Sequence, residues 1–555
     1  MFWTYVIGII VFALILGIIV LLHEGGHFIM ARRAGIMCYE FAIGMGPVIY
    51  SKKKGETVYS IRAIPIGGFV SMAGEEVESN VLTGYHRCQL VINNGIVEEI
   101  MVDEKKFDSN QPIYSIVSND LIGTKEALPD ELYIVVKDDE DNEIKYVVKR
   151  DVIIKFPKKQ VIQNAPYEKN FVNKSISERF LAVFAGPFMN FVLAIAVFFI
   201  LGICTGYADP NVTYIDNIME GTPAYEAGLR DGDEILYITT GSLDSIKEED
   251  YFTKWDDISK ALDDCATGKA DYAGYVNVLY RRDDSINKTK VYPNNYINTI
   301  QIPFAHAYND DNNNLLIGEF ARNNETSLSY KAGIRKGDIL VSVNGVVFNN
   351  RAEAMAYFYS DASQEKFEYE VVVERAGKQE TYTIDGFSMQ ALFDNEIQPA
   401  KVQMEITAEY QRSFVKNLYM PFVETGKSAS LVFKTLGLLF TDKSVGISDL
   451  SGPIGILDAT VSMIDIRDAN GKLMIGEIIL SLLNWIAMLS VNIGLLNILP
   501  LPALDGGRIA FIIYEAITRK KPNSKVENII HSIGFILLMA LFVIVAFNDV
   551  LRLFG

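Results

Sequence analysis

The sequence predicts a polytopic α-helical membrane protein of four spans, carrying a large soluble portion built on a repeated α+β module. Three observations carry that reading. Hydrophobic residues make up 49% of the 555 and mean hydropathy is positive at +0.16, yet the formal net charge is -18. A uniform globule does not combine these values, whereas a chain with segregated apolar and charged stretches does. The four cysteines, at 38, 88, 204 and 265, lack CxxC spacing, which excludes a disulfide framework or a cysteine zinc cluster. The acidic balance, with no basic stripe, argues against nucleic acid as a partner.

The first apolar run opens the chain. Residues 1–22 carry no charge, and Tyr5 to Leu22 is nearly all large and apolar, enough for the roughly 20 residues of a spanning helix. A cleaved signal peptide fits poorly, because no basic stretch precedes the run and no small-residue cleavage site follows it. Further runs cover Phe180–Ile203, Ile478–Leu504 and Ile529–Phe547. Four spans put both termini on one side. Arg32, Arg33, Lys52, Lys53, Lys54 and Arg62 follow the first span, and Lys174 and Arg179 precede the second. Arg508, Arg519, Lys520, Lys521 and Lys525 lie between the third and fourth. The positive-inside rule places these flanks in the cytoplasm, with both termini and residues 207–473 outside. The external stretch holds 25 Lys/Arg against 41 Asp/Glu, a balance of 25 − 41 = -16, so it carries nearly all of the -18.

That stretch contains a repeat. "VTYIDNIMEGTPAYEAGLRDGDEILYITTGSL" (212–243) returns in outline as "SYKAGIRKGDILVSVNGVVF" (329–348). The shared cores, Ala227–Leu236 and Ala332–Leu340, align on Gly228/Gly232/Asp233 and Gly333/Gly337/Asp338. Each places glycine turns and a Gly-Asp pair before an apolar strand. The pattern resembles the PDZ domain, although the first copy reads Ile238-Thr239-Thr240-Gly241 where the second reads Val343-Asn344-Gly345. PDZ domains bind extended peptides at a sheet edge. Peptide ligands are therefore one expectation, and purely steric modules the other. Residues 411–440 alternate large apolar side chains with lysines, which suits a helix on the membrane surface or a core helix of the preceding domain. Residues 80–170 alternate apolar and polar residues between Asp/Glu/Asn turns and read as a β-rich cytoplasmic insert.

The chemistry concentrates at the inner end of the first span, in His23-Glu24-Gly25-Gly26-His27. Residues i and i+4 share a helix face, so both imidazoles can converge on one metal, with Glu24 beside them to take a proton from water. Ionisable groups at the end of an apolar span are costly and usually functional. Two histidines leave a tetrahedral zinc short of a third protein ligand. Asp505 is the only acidic residue between Ile478 and Tyr514, in "NILPLPALDGG" (497–507), where Pro500 and Pro502 break the helix and Gly506 and Gly507 permit a turn. Broken backbone at membrane depth is tolerated only when buried or facing a wet cavity. Two histidines, one aspartate and water form an open, catalytic zinc pattern. His86, His306 and His531 lack ligand spacing and read as structural or exposed.

HEGGH at a span end, a distant NxxPxPxLDGG and PDZ-like repeats between them resemble the site-2 protease family, in its bacterial PDZ-bearing form that performs regulated intramembrane proteolysis. "EFAIGMGP" (40–47) resembles that family's G-x-G element, "YSIRAIPIGGFVSMAGE" (59–75) its membrane-re-entrant β-hairpin, "FAGPFMNF" (184–191) its second span, and "SGPIGI" (451–456) the stretch before its third. The resemblance implies one Zn2+ per chain held by His23, His27 and Asp505, with Glu24 as general base and Asn497 near the substrate or its oxyanion. It also implies that a strand of Ile64, Pro65, Ile66, Gly67, Gly68, Phe69 and Val70 receives the substrate as an added strand. The implied activity is a second cut in single-span membrane proteins, such as anti-sigma factors or remnant signal peptides, with the lipid bilayer as surroundings. His27 lies five residues, about 7.5 Å of helix, before Arg32, so the cut is expected near the cytoplasmic face of a bacterial plasma membrane.

The expected layout is residues 1–75 for the first span and hairpin, 76–175 for the insert, and 176–206 for the second span. Residues 207–312 and 313–410 form the two PDZ-like domains, followed by an interfacial segment at 411–473. Residues 474–528 hold the third span and LDGG turn, and 529–555 the fourth. Two other classes compete. A peptide-binding membrane scaffold need not keep Glu24, and a transporter with broken helices would show inverted repeats among its spans, which this sequence lacks.

Overall fold

A computed structural model describes residues 2–554 except 76–81, 83, 124–131, 139, 158–160, 217, 306–314, 319, 321–326, 361–367, 388–391, 393–396, 442–451 and 468–471. Among the described residues, four helices are long and apolar enough to cross a membrane: Trp3–Arg33, Ile176–Thr205, Ile475–Ile498 and Val526–Leu551. The 31 residues of the first span about 47 Å, more than the ~30 Å hydrocarbon thickness, so HEGGH sits within an unbroken helix. Leu14, Ile536 and Leu537 are each more than 60% exposed, an outward apolar surface suited to lipid. The third apolar run reaches Leu504, but its helix stops at Ile498, ahead of Pro500 and Pro502, which cannot supply N–H groups to continue it.

The chain divides into two compact units. The first comprises residues 1–197, 460–464 and 481–541. Its strands β1 (Cys38–Lys54) and β2 (Thr57–Met72) differ from a plain hairpin. The second half of β1 pairs antiparallel with residues 57–62; these lie parallel to residues 40–43, which in turn pair antiparallel with 68–71. Two bent strands thus make four rungs, with 68–72 at an edge. The bend falls at Gly44 and Gly46, both with positive φ, where a Cβ on Gly44 would stand 2.6 Å from the Ile64 carbonyl oxygen. Local sequence cannot reveal such refolding, because the partners are set by the bend rather than by the alternation. Glu40 ties the rungs together, accepting from Ser60 Oγ at 2.5 Å and Arg62 Nη2 at 2.8 Å.

The insert forms β3 (Arg87–Asn93), β4 (Ile96–Met101), β5 (Tyr114–Asp120), β6 (Tyr133–Lys137), β7 (Glu143–Lys155) and β8 (Val161–Gln163). The order β4-β3-β5-β6-β7 closes on itself through a parallel β4–β7 pairing, giving a five-stranded barrel with β8 appended. Asn94-Gly95, both at positive φ, make the two-residue β3–β4 hairpin. Val97, Ile100, Ile134, Val136, Val148 and Ile154 fill the interior.

The second unit, residues 198–459, 465–480 and 542–555, holds the repeats. Strands Glu234–Thr239, Val276–Arg282 and Ser285–Val291 form one sheet of the first copy. Strand Asn294–Ile297 pairs with Ala400–Gln403, and Ile215–Asp216 with Thr407–Ala408. The expected boundary between residues 207–312 and 313–410 therefore needs correction. The second copy, with its sheet of Ile339–Val343, Val346–Val347, Glu368–Arg375 and Lys378–Asp385, is inserted into the first, and residues 400–408 return to complete it. Strand pairing over some hundred residues leaves no local signature.

The repeated motif gives a repeated clamp. Asp233 accepts from Arg282 Nε and Nη2, each at 2.6 Å, and from the Arg230 backbone N–H at 2.8 Å. Asp338 accepts from Arg375 Nε and Nη2, each at 2.7 Å, and from the Arg335 backbone N–H at 2.7 Å. Each clamping arginine also donates to the carbonyl of the motif's first glycine, Gly228 or Gly333. Beyond the repeats runs the helix Phe414–Thr441, with Phe414, Leu418, Phe422 and Phe433 exposed along it. The buried Asp549 carboxylate accepts from the backbone N–H groups of Gly452 and Gly455, at 3.1 and 2.9 Å, capping the helix Pro453–Ile464.

Candidate active site

His23 and His27 stand one helical turn apart on the first span, both buried, with ring centroids 4.8 Å apart. Gly26 lets the second span approach, since a Cβ there would lie 2.3 Å from the Ala185 carbonyl oxygen. Gly186 faces His27 in the same way. Asp505 opens the helix Asp505–Thr518 immediately after the proline-broken turn. That turn doubles back so tightly that Cβ atoms on Gly506 and Gly507 would fall 1.9 and 2.6 Å from the carbonyl oxygens of Leu499 and Leu501. The Asp-Gly-Gly run is thus the one local sequence that can carry a carboxylate back against the preceding helix end. Ala503, at φ +72°, donates its N–H to His531 Nδ1 at 2.9 Å, which pins the turn to the fourth span.

These elements bring three ligand atoms together across 482 positions of chain (505 − 23). His23 Nε2 lies 3.1 Å and His27 Nε2 3.2 Å from Asp505 Oδ2, and the two Nε2 atoms are 3.2 Å apart. Zinc bonds of about 2.0–2.2 Å in a tetrahedron give ligand edges of roughly 3.3–3.6 Å, so the triangle is only slightly tighter than one zinc-coordination face. His27 Nδ1 donates to the Ala182 carbonyl at 2.9 Å, which leaves its Nε2 without a hydrogen in the neutral ring. Asp505 Oδ2 is correspondingly buried with no hydrogen-bond donor among the described residues. Three ligand-type atoms this close together, one of them a carboxylate oxygen with no donor, fit a bound cation.

The other expected residues are distributed around this centre. Glu24 is half-buried, and a Cβ on Gly68 would meet its Cγ at 3.6 Å and Val20 Cγ1 at 3.4 Å. The edge segment of β2 therefore passes beside Glu24. Ile64 is half exposed, Gly67, Gly68 and Phe69 are partly covered, and Val70 is buried. Pro65 and Ile66 belong to the strand, with side chains outside the described residues. Asn497 occupies the last turn of the third span, partly covered. His86 is exposed, and His306 lies outside the described residues.

Several contacts escape sequence reasoning. Arg508, three residues after Asp505, pairs with Glu75 in the turn that follows β2. Arg179 and Glu515 form a buried pair at 2.8 Å, joining the second span to the helix that begins with Asp505. Ala182, Gly186 and Asn190 follow one another at four-residue spacing, and the residues they meet are His27, His27 and His23. The available signal was Asn190 itself, a polar side chain within a charge-free span.

The profile of peptidase family M50 matches residues 11–541. The chain belongs to peptidase family M50, the site-2 proteases. The zinc metalloprotease RasP of Oceanobacillus iheyensis is 30% identical over 547 residues, covering 98% of this chain and 99% of the relative. The RasP proteins of Shouchella clausii and Geobacillus kaustophilus are 27% and 28% identical over 550 and 549 residues, each covering 99% of this chain and 99% and 98% of the relative. This M50 peptidase is thus a zinc metalloprotease, a hydrolase that acts within a bacterial membrane.

Proposed function

We propose that His23, His27 and Asp505 hold one zinc ion and that Glu24 is the general base of an endopeptidase cutting single-span membrane proteins near the cytoplasmic face. The observation that carries this reading is the triangle of three ligand-type atoms, 3.1–3.2 Å on a side, with the β2 edge passing beside Glu24. Zinc bound by these three groups supplies a Lewis acid that polarises the scissile carbonyl and brings the pKa of water down to about 7. A helical substrate keeps its peptide groups internally satisfied and closed to attack. Residues 64–70, which run into the β2 edge, would hold a few substrate residues extended by adding them as a strand, turning one carbonyl toward the site. Glu24 takes the proton of the attacking water and returns it to the leaving amine. Asn497 is assigned to the substrate or its developing oxyanion.

The charge of the short flanks supports cytoplasmic placement of the site and external termini and repeats. The repeats support two nested PDZ-type modules that screen out bulky ectodomains, so that this enzyme makes the second of two cuts. Peptide binding has a candidate groove of about 650 Å³ in the first copy, lined by Trp255, Ile258, Leu262, Lys401 and Val402, beside the edge strand Ala400–Gln403. The exposed aromatic and aliphatic residues of Phe414–Thr441 support a helix resting on the membrane surface.

The test is cleavage of a model single-span substrate by a Glu24→Gln variant, together with zinc content of His23→Ala and Asp505→Ala. Zinc loss in the last two and inactive, zinc-loaded Glu24→Gln are expected. Wild-type cleavage by Glu24→Gln, or full zinc in both ligand variants, would overturn the reading.

A further inference from the structure

The structure assigns Asn190 as the positioning residue of His23, with its amide oxygen, rather than its nitrogen, turned to the imidazole Nδ1. The inference rests on the proposed ligand set and concerns what holds that set in place. Asn190 is fully buried in the second span. Its Nδ2 stands 3.2 Å from His23 Nδ1, while its Oδ1 is buried with no hydrogen-bond partner among the described residues. The residue is held independently, because its backbone carbonyl accepts from Ser490 Oγ at 2.8 Å.

Amide oxygen and nitrogen have nearly the same size, so only the surrounding hydrogen bonds distinguish the two orientations. With Nδ2 facing the ring, the amide donates to Nδ1, and a neutral His23 must carry its hydrogen on Nε2. That hydrogen would then point into the cluster of His27 Nε2 and Asp505 Oδ2, 3.2 and 3.1 Å away, and His23 would have no lone pair there for a metal. With the amide rotated, the orphaned Oδ1 accepts from Nδ1–H, and Nε2 presents its lone pair beside the other two ligands. His27 is already held in that tautomer by the Ala182 carbonyl at 2.9 Å. Ala182 and Asn190 then act alike, two acceptors on one face of the second span, each orienting one ligating ring.

The experiment measures zinc affinity of the purified full-length protein by competition with a chromophoric chelator, for wild type, Asn190→Leu, Asn190→Asp and His23→Ala. Asn190→Leu removes the acceptor at similar volume and is expected to weaken zinc binding about 10–100-fold. Asn190→Asp offers an acceptor in either orientation and cannot donate as a carboxylate, so it is expected to keep wild-type affinity. Wild-type affinity in Asn190→Leu would overturn the inference, as would a loss in Asn190→Asp equal to that in Asn190→Leu. Should the leucine variant fail to fold, the aspartate variant decides alone: retention supports an acceptor at Nδ1 and loss refutes it. His23→Ala separates the two levels of the argument, because unchanged affinity there would refute the ligand assignment itself.

Discussion

Gly186 of the second span faces His27 so closely that a Cβ on it would lie 2.1 Å from the imidazole Nε2. The glycine is therefore part of how His27, proposed as a zinc ligand, is seated, although it supplies no functional group. Gly186→Ala should push His27 out of the triangle. A misplacement of about 1 Å can cost roughly 100-fold in rate, and zinc content should fall with activity. Parallel measurement of bound zinc and substrate cleavage checks this; a variant with full zinc and full activity would show that the ring has room to move.

The contact between Gly68 and Glu24 predicts the opposite separation of effects. A Cβ on Gly68 would press on the Ala42 carbonyl oxygen at 2.7 Å and shift the edge rung beside Glu24, the proposed base. Gly68→Ala should retain zinc at wild-type stoichiometry while kcat/KM falls about tenfold, or ~1.4 kcal/mol of transition-state stabilisation. Zinc loss in this variant would mean that the strand supports the metal site rather than the substrate.

The clamp of the second repeat should make that module acid-sensitive. Burial pushes the Asp338 carboxyl up, but Arg375 and the Arg335 backbone N–H outweigh it and hold the group below the usual carboxylate range. A depressed carboxylate contributes stability that is present above its unfolded pKa of about 3.9 and is lost as pH falls through the folded value. The protection of amides in residues 368–385, relative to their intrinsic exchange rates, should therefore fall below about pH 4. Arg375→Met should lower it at neutral pH by an amount corresponding to about 2 kcal/mol. Equal protection in wild type and variant would remove the clamp from the stability of this module.

Asp549 predicts a smaller, local effect. Its carboxylate satisfies two N–H groups at the start of Pro453–Ile464, the work of an N-cap supplied from another helix. Asp549→Ala should cost about 1 kcal/mol and raise exchange at Gly452 and Gly455, with Asp549→Asn intermediate. Unchanged exchange at both glycines would show that water replaces the cap.

The parts of the site that could be read in the one-dimensional pattern are those governed by local rules. Helical spacing puts His23 and His27 on one face, and Pro500, Pro502, Gly506 and Gly507 demand a turn wherever they occur. The nested repeats were half visible: the Gly-Asp motif predicts each turn, but residues 400–408 carry no motif and join the first copy only through pairing with Asn294–Ile297 and Ile215–Asp216. The bend of β1 was flagged by Gly44 and Gly46, yet the four-rung sheet it produces follows from contacts among segments that local alternation treats alike.

Solvent preference and backbone chemistry are properties of a few consecutive residues, so the order of amino acids alone settles the spans, the His-Glu-Gly-Gly-His helix and the broken turn at Asp505. The triangle of His23, His27 and Asp505, the Gly186 seat for His27 and the Asn190 contact with His23 depend on packing between helices 155 or more residues apart in the chain. Which carbonyl, amide or missing Cβ lies opposite each imidazole is decided only when those helices are in register. That register is held by the close approaches at Gly26 and Gly186 and the buried Arg179–Glu515 pair, interactions whose partners no single segment specifies.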